Sequence, residues 1–306
     1  MPIISESFFQ DFELLKSKEV VLDLSTIGRS NECEFKLPVF GYLSDTSDLY
    51  RNDFTAPLLM LSNRYSSPAL YLEQMQGDCS WLELAQLNDN TYGTYYPIAS
   101  KPYWIGYKLQ WHEVLNLHGA GCYRIRTEYT DTITAVINIE YSYKFDLKAY
   151  SEGFADKTIK LTYQINGGII GNPNDDQNPI DYEGITWIRE VRLPNSYAGF
   201  ETSEYTREYV KYKNGGQVWT KDDQVENIVC QIGKIPYSLH RALKVTALQS
   251  DALWVSDYNR GNQVNYDHKR VIANSGYEPK WAKYATYAPV EIQLQPYFQN
   301  LERKRC

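Results

Sequence analysis

Three groups of side chains in this sequence have the residue types of a chemical site. His112-Glu113 followed by His118 offers two imidazoles and a carboxylate, the makings of a helical zinc centre. That chemistry needs the second imidazole four positions after the first, so that both fall on one helix face, and the fourth position is Asn116. The spacing therefore predicts surface or capping histidines and no metal. Glu201, Glu204 and Glu208, with Asp222, Asp223 and Glu226, have the types needed for the acid and base of a glycoside hydrolase. Such work requires two carboxyl groups at a fixed separation across a cleft, whereas a charged strand face needs nothing more. Asn174-Asp-Asp-Gln-Asn-Pro179 puts oxygen ligands at alternate positions, as a calcium loop does. Pro179 stands where the sharp-turn glycine belongs and Ile185 where a bidentate glutamate belongs, so segment 172–181 reads as a solvated loop, with weak calcium binding left open.

No Gly-x-Ser-x-Gly elbow, phosphate-cradling glycine loop or dinucleotide fingerprint occurs, so acyl transfer, nucleotide hydrolysis and dinucleotide chemistry lack their usual signatures. The expectation is a protein that is not an enzyme and takes no cofactor. Trp81, Trp219, Trp254 and Trp281, with Tyr258 beside an Asn-rich turn, are the candidates for an aromatic binding face, set against the tendency of tryptophan to be buried.

The elements that would position these residues read as mainly β with a few short helices, in two antiparallel-sheet domains. Ser5 or Ser7 can cap a helical arm over 1–18 whose Phe8, Phe12 and Leu15 share a face, packed on its own domain or on a neighbouring subunit. Val20–Leu24 and Glu32–Leu37 read as strands, and 41–56, polar and Asp-rich, as a long loop. Leu58–Leu61, Ala69–Leu72 and Trp81–Leu84 read as short segments entering a core, helix or strand undecided. Trp104–Trp111 reads as a strand, 112–118 as a short helix, Gly119 as its stop and 121–126 as an alternating strand.

A domain break is placed near Tyr129–Asp131, dividing the chain into 1–130 and 131–306. Thr132–Leu147 reads as one long alternating run, and Thr158–Ile165, Ile185–Leu193 and Glu208–Lys213 as further strands. Asn166-Gly-Gly168 and Asn214-Gly-Gly216 each supply the positive φ angles of a tight hairpin turn. Pro236 suits the first turn of a helix over 236–248, in which Leu239, Ala242, Leu243 and Leu248 recur at helical spacing. Leu253–Asp257 turns extended, Tyr258–Asn262 is turn-rich, and Ala288–Leu294 reads as the strand that closes the sheet.

Bulk properties narrow the partners. With 27 Tyr and 7 Trp against 3 Met, the apolar content favours strands and amphipathic contact surfaces. The net charge is −7 without a basic stripe, which argues against sequence-independent phosphate gripping; the one basic cluster is Arg303-Lys304-Arg305 at the tail. Cysteines at 33, 79, 122, 230 and 306 form neither a disulfide framework nor a zinc ribbon. The first residues lack the features of a signal peptide and no apolar run reaches membrane-spanning length, so synthesis in a reducing cytoplasm is expected.

Two segments carry a family resemblance. Tyr107-Lys-Leu-Gln-Trp111 through Gly119-Ala-Gly-Cys-Tyr-Arg-Ile125, and Leu253-Trp-Val-Ser-Asp-Tyr-Asn-Arg-Gly-Asn262 with Tyr277-Glu-Pro-Lys-Trp281, resemble virion structural proteins of the crAss-like bacteriophages, especially ring proteins of their tail barrel. The resemblance implies a homo-oligomeric ring subunit of the virion tail or neck, made in the host cytoplasm, next to other tail or neck proteins or the portal. DNA would pass through such a ring without specific binding. It implies no catalytic residues. Candidate subunit contacts are Phe8, Phe12, Trp254, Tyr258, Asn259, Asn262, Arg303, Lys304 and Arg305. A carbohydrate-binding β domain and a glycoside hydrolase stand as alternatives.

Overall fold

The computed structural model describes residues 20–22, 36–42, 52–61, 64–97, 104–151, 157–167, 169–170, 180–181, 185–257, 266–274, 276–283, 285 and 287–297. The first strands are β1 (Val20–Leu22), β2 (Lys36–Gly41), β3 (Phe54–Thr55), β4 (Leu58–Leu61), β5 (Tyr65–Met75), β6 (Trp81–Gln86), β7 (Gly93–Pro97) and β8 (Trp104–Gln110). Helix α1 (Trp111–His118) leads into β9 (Gly121–Asp131), β10 (Ile137–Tyr141) and β11 (Lys144–Ala149). Then come β12 (Thr158–Asn166), β13 (Ile169–Ile170), β14 (Ile180–Asp181), β15 (Thr186–Pro194), β16 (Tyr197–Lys211) and β17 (Gln217–Pro236). Helix α2 (Tyr237–Ala242) continues as a π turn over Leu243–Ala247, and β18 (Ala252–Asp257), β19 (Tyr266–Ala273) and β20 (Tyr287–Pro296) follow. The fold is mainly β with short helices, as the alternation predicts.

These strands form three principal sheets. In the first, β8 is central, with β4 and β3 sharing one of its edges, β7 on the other, and β1 outside β4. In the second, the order is β2-β11-β9-β5-β6, with β10 also on β9 and a parallel pairing of β2 with β11. The third is seven-stranded and antiparallel, in the order β15-β12-β18-β19-β20-β17-β16. A period of two gives each sheet an apolar face. On β9, Tyr123, Ile125, Thr127 and Tyr129 are buried while Arg124, Arg126 and Glu128 take the other side; on β20, Ala288, Val290, Ile292 and Leu294 are buried and Glu291 and Gln293 exposed. β12 is buried at every residue from Thr158 to Tyr163, which places it between layers. One face of it meets the π turn, and the other meets the segment around Asp53.

Several expectations need correction. The 132–147 run is two strands, because the Asp131 carboxylate accepts from the amides of Ile133 (2.9 Å) and Thr134 (3.3 Å) and turns the chain there. Since β10 and β11 pair within the second sheet, 130/131 is a hairpin inside one sheet, and the change of sheet falls between Ala149 and Thr158. Asn166-Gly167 does not join two paired neighbours: Gly167 donates to Ile185 O at 2.8 Å, and β12 pairs with β15 across the intervening segment. β6 lies at a sheet edge with Leu82 half exposed, so Trp81–Leu84 reaches the core through Leu84, which packs against it half-buried. Ala288–Leu294 sits inside the third sheet rather than closing it. The 236–248 helix switches to π geometry at Leu243, with Leu239, Ala242 and Leu243 fully buried. Within 41–56, Phe54–Thr55 is strand, and Asn52 and Asp53 are buried.

Candidate functional site

Asp53, just ahead of β3, faces three charged residues of the third sheet. Arg192 of β15 grips it with two bonds, Nε to Oδ2 and Nη2 to Oδ1, both 2.6 Å. Lys160 of β12 bridges Asp53 Oδ1 at 3.4 Å and Glu190 Oε1 at 3.3 Å. The amides of Phe40 (3.0 Å) and Phe54 (3.1 Å) donate to Asp53 and Glu190, and Thr158 accepts from Arg192 Nη1 at 3.0 Å. All four charged side chains are buried. Burial, the largest influence on Asp53, would raise its pKa, but Arg192, Lys160 and the Phe40 amide together outweigh it and hold the carboxyl below its ordinary value. Burial dominates at Glu190 and pushes its pKa up, with Lys160 offsetting only part of that. Two cations balance two anions, so the cluster ties the third sheet to the segment before β3 without a net charge.

Beside this junction lies a cleft of about 460 Å³, lined by Ala56, Tyr96, Pro97, Lys108 and Ile185–Ile188. Its walls come from two sheets. β7 and β8 supply Tyr96, Pro97 and Lys108, the link between β3 and β4 supplies Ala56, and β15 with the residue before it supplies Ile185–Ile188. Trp187 is fixed by donation from Nε1 to Ala56 O at 3.1 Å and by an edge contact to Tyr96, 5.5 Å between centroids. The Lys108 ammonium lies 4.1 Å from the centre of the Phe54 ring, and burial lowers its pKa. Tyr96 and Ile188, each 40% exposed, form the lip. The arrangement suits an apolar or aromatic group that also carries a negative charge.

At the far edge of the third sheet, β16 and β17 run on past it as an arm. β17 pairs with β20 only from Ile228 to Pro236, but with β16 out to Lys211↔Gln217. From Thr202↔Asn227 outward no other described strand pairs with either member. Ten residues of β16, Thr202 to Lys211, span roughly 31 Å in nine steps of about 3.4 Å. At the tip, Tyr212 N donates to Gly216 O (2.8 Å) and Gly215 N to Tyr212 O (3.0 Å), with Gly215 at φ +85°. This is a three-residue hairpin loop whose left-handed position falls to glycine. Residues 208–217 are all exposed, including Tyr209, Val210 and Tyr212.

The residues singled out from the sequence are dispersed. Trp254 is half-buried, stacked on His268 at 5.1 Å and 7°, with Arg270 also near its ring. Phe8, Phe12, Tyr258, Asn259, Asn262, Arg303, Lys304 and Arg305 lie outside the described residues, as does Asn174–Pro179. Trp81 is covered by Arg124, whose guanidinium is 4.1 Å from its ring and 3.9 Å from that of Tyr141. Trp281 is 41% exposed, 6.0 Å from Tyr237. Trp219 lies opposite Tyr209 in the arm, whose register also sets Glu208 against Lys221 and Arg207 against Asp222. His118 Nε2 meets the Tyr92 hydroxyl at 2.9 Å, His112 Nε2 lies 3.1 Å from Glu113, and no group of metal-ligating side chains occurs among the described residues. Cys79, Cys122 and Cys230 are free thiols. Among the described residues no helix is long and apolar enough to cross a membrane. No protein-family model matches the chain, and no curated protein matches it.

Sequence reasoning missed the junction and the cleft. Asp53 sits in a stretch whose composition resembles a solvated loop, and its partner Arg192 lies 139 residues away. The hairpin at Asn214-Gly215 was legible, but its projection was not, because that depends on where β20 stops pairing with β17.

Proposed function

We propose that this chain is a structural subunit that assembles with copies of itself and, as the resemblance of Tyr107–Ile125 and Leu253–Asn262 implies, a ring protein of a bacteriophage tail or neck barrel. The observation that supports assembly is the arm. A two-stranded hairpin is at best marginally stable alone in water, and this one carries an exposed Tyr209, Val210 and Tyr212 at its end. Open strand edges also invite pairing with another chain. Such a projection gains its stability from a neighbouring subunit.

On this reading the neighbours along the particle are further tail or neck proteins or the portal. A chain of net charge −7 suits a conduit through which DNA slides without being gripped. The test is native mass by light scattering on a sizing column, over a concentration series, for the intact chain and for one in which 203–226 are replaced by Asn-Gly between Thr202 and Asn227, opposed residues in the register. The intact chain should form one large closed species, visible as rings by electron microscopy, and the shortened chain should stay folded and monomeric. Equal assembly of both would remove the arm as support.

A second reading, glycan binding, is favoured by one feature. Tyr237 (59% exposed) and Trp281 (41%) form an adjacent aromatic pair on the surface. Selective retention on a glycan array, lost in Trp281→Ala, would support it; uniform non-binding would dispose of it.

A further inference from the structure

On the face of the third sheet turned away from the buried Val255, Val271 and Leu294, one arginine is held by aromatic rings and has no acidic partner. Arg270 of β19 pairs with Trp254 of β18 on one side, and on the other its carbonyl accepts from the amide of Tyr297 at 3.0 Å. Its guanidinium carbon lies 3.8 Å from the centre of the Tyr297 ring and 5.9 Å from that of Trp254. Arg270 Nε is buried without a hydrogen-bond partner, while the residue as a whole is half-buried and forms no ion pair among the described residues. The cation has lost part of its water and is compensated only by ring faces, so an anion reaching its outer edge gains more than it would at a fully hydrated side chain. On β20 the same face carries Gln295, Gln293 and Glu291, which sets the carboxylate six residues along from Tyr297. Beside Arg270 lies an amide cluster. Gln295 Nε2 and Asn274 Nδ2 both donate to Asn227 Oδ1, at 3.1 and 3.2 Å, which leaves their own carbonyl oxygens to accept from a ligand. Ile272 and Tyr297, 49% and 43% exposed, complete the face.

Carrying the glycan reading further, and resting on it, we propose that this face binds an acidic oligosaccharide built from hexuronate units. A sugar carboxylate accepts from the outer edge of the Arg270 guanidinium, the sugar ring packs on Tyr297 and Ile272, and hydroxyls donate to Gln295 and Asn274. Nucleic acid fits less well, because a run of phosphates calls for a line of cations and this face offers one. The site is separate from the Tyr237–Trp281 pair, which stands at the other end of β20, where Pro236 pairs with Tyr287.

The probe is the galacturonate trimer in titration calorimetry, beside its methyl ester, which keeps the rings and hydroxyls but lacks the charge. The intact chain should bind the acid and hold the ester about tenfold more weakly or worse, the loss expected for a hydrogen bond to a charged group. Arg270→Gln should bring the acid down to the affinity of the ester, and Arg270→Lys should recover only part of the difference, since an ammonium has no fork. Tyr297→Ala and Gln295→Ala should weaken acid and ester alike, whereas Trp281→Ala should change neither. Thermal melts establish that each variant is folded; should Arg270→Gln not fold, the ester comparison and Gln295→Ala decide the matter. Equal affinity for acid and ester, acid binding unchanged in a folded Arg270→Gln, or displacement of the trimer by equimolar acetate or hexaglutamate peptide overturns the site. If neutral glycans bind through Trp281 and the acid trimer does not, the glycan reading stands and this site falls. Binding of no glycan at all removes both.

Discussion

Asp53→Asn tests the junction most directly. The substitution keeps the side chain's shape and an acceptor for the Phe40 amide, but it removes one of two anions from a buried cluster holding Lys160 and Arg192. The cluster goes from balanced to one net positive charge, in a site where Lys160 and Arg192 are each 1% exposed at the side chain. Removing one partner of a buried, hydrogen-bonded ion pair costs about 3–5 kcal/mol, because the remaining charge has no water to turn to. For 306 residues, an unfolding entropy of about 2.1 cal/mol/K per residue makes that a fall in Tm of roughly 5–8 °C. Differential scanning calorimetry and urea denaturation followed by circular dichroism both read it. The control is the pair Asp53→Leu with Arg192→Met, which removes one charge of each sign and leaves Lys160 with Glu190, so the double change should cost less than the two single changes together by about 2 kcal/mol. If Asp53→Asn costs under about 1 kcal/mol, or the single changes add within about 0.5 kcal/mol, the ion pair does not join these sheets as argued.

A Cβ at Gly106 would come 2.5 Å from Trp187 Cη2, so Gly106→Ala should force the indole aside, cost about 1–3 kcal/mol and shift tryptophan emission; unchanged melting and emission would contradict the close approach. Asp131 is held at about 2, chiefly by hydrogen bonding from Arg64 and further by the amides of Ile133 and Thr134. Its stabilising contribution is complete above the unfolded value near ~3.9 and is lost as pH falls toward about 2. Arg64→Ala should therefore raise the Asp131 pKa in a carboxyl NMR titration, and an unmoved titration would refute the pairing. His240 is buried, with Nδ1 2.7 Å from the Tyr277 hydroxyl and Nε2 2.8 Å from Ala288 O, and burial lowers its pKa. Stability should be greatest above the unfolded value near ~6.5 and decline as pH falls below it. His240→Gln should flatten that decline in urea midpoints, and identical pH profiles would argue against it.

The parts of the fold legible in the sequence were those fixed by local period. Trp104 to Arg126 shows strand, helix and strand because the apolar spacing changes from two to helical and back, and Gly119 adopts φ +80° at the change. Alternation in Ala288–Leu294 identified a strand but not its neighbours, since sheet order depends on contacts far apart in sequence. The same limit hid the cleft. Tyr96, Lys108 and Trp187 are unremarkable one at a time, and only the approach of β15 to the first sheet brings them together. Asp53 was misread for a sharper reason: composition marks a residue as polar, and whether a polar residue is solvated or paired in the interior is decided by a partner such as Arg192.

An ion cluster buried between sheets is a costly way to join them, since well-packed apolar residues of similar volume often do as well or better. What the Asp53–Arg192 fork adds is direction, because two parallel bonds fix both the distance and the angle between the groups they link. That matters most at the cleft, where Lys108 and Tyr96 stand on the first sheet and Ile185–Ile188 on or beside β15. A small rotation between the sheets would part the ammonium from the apolar wall.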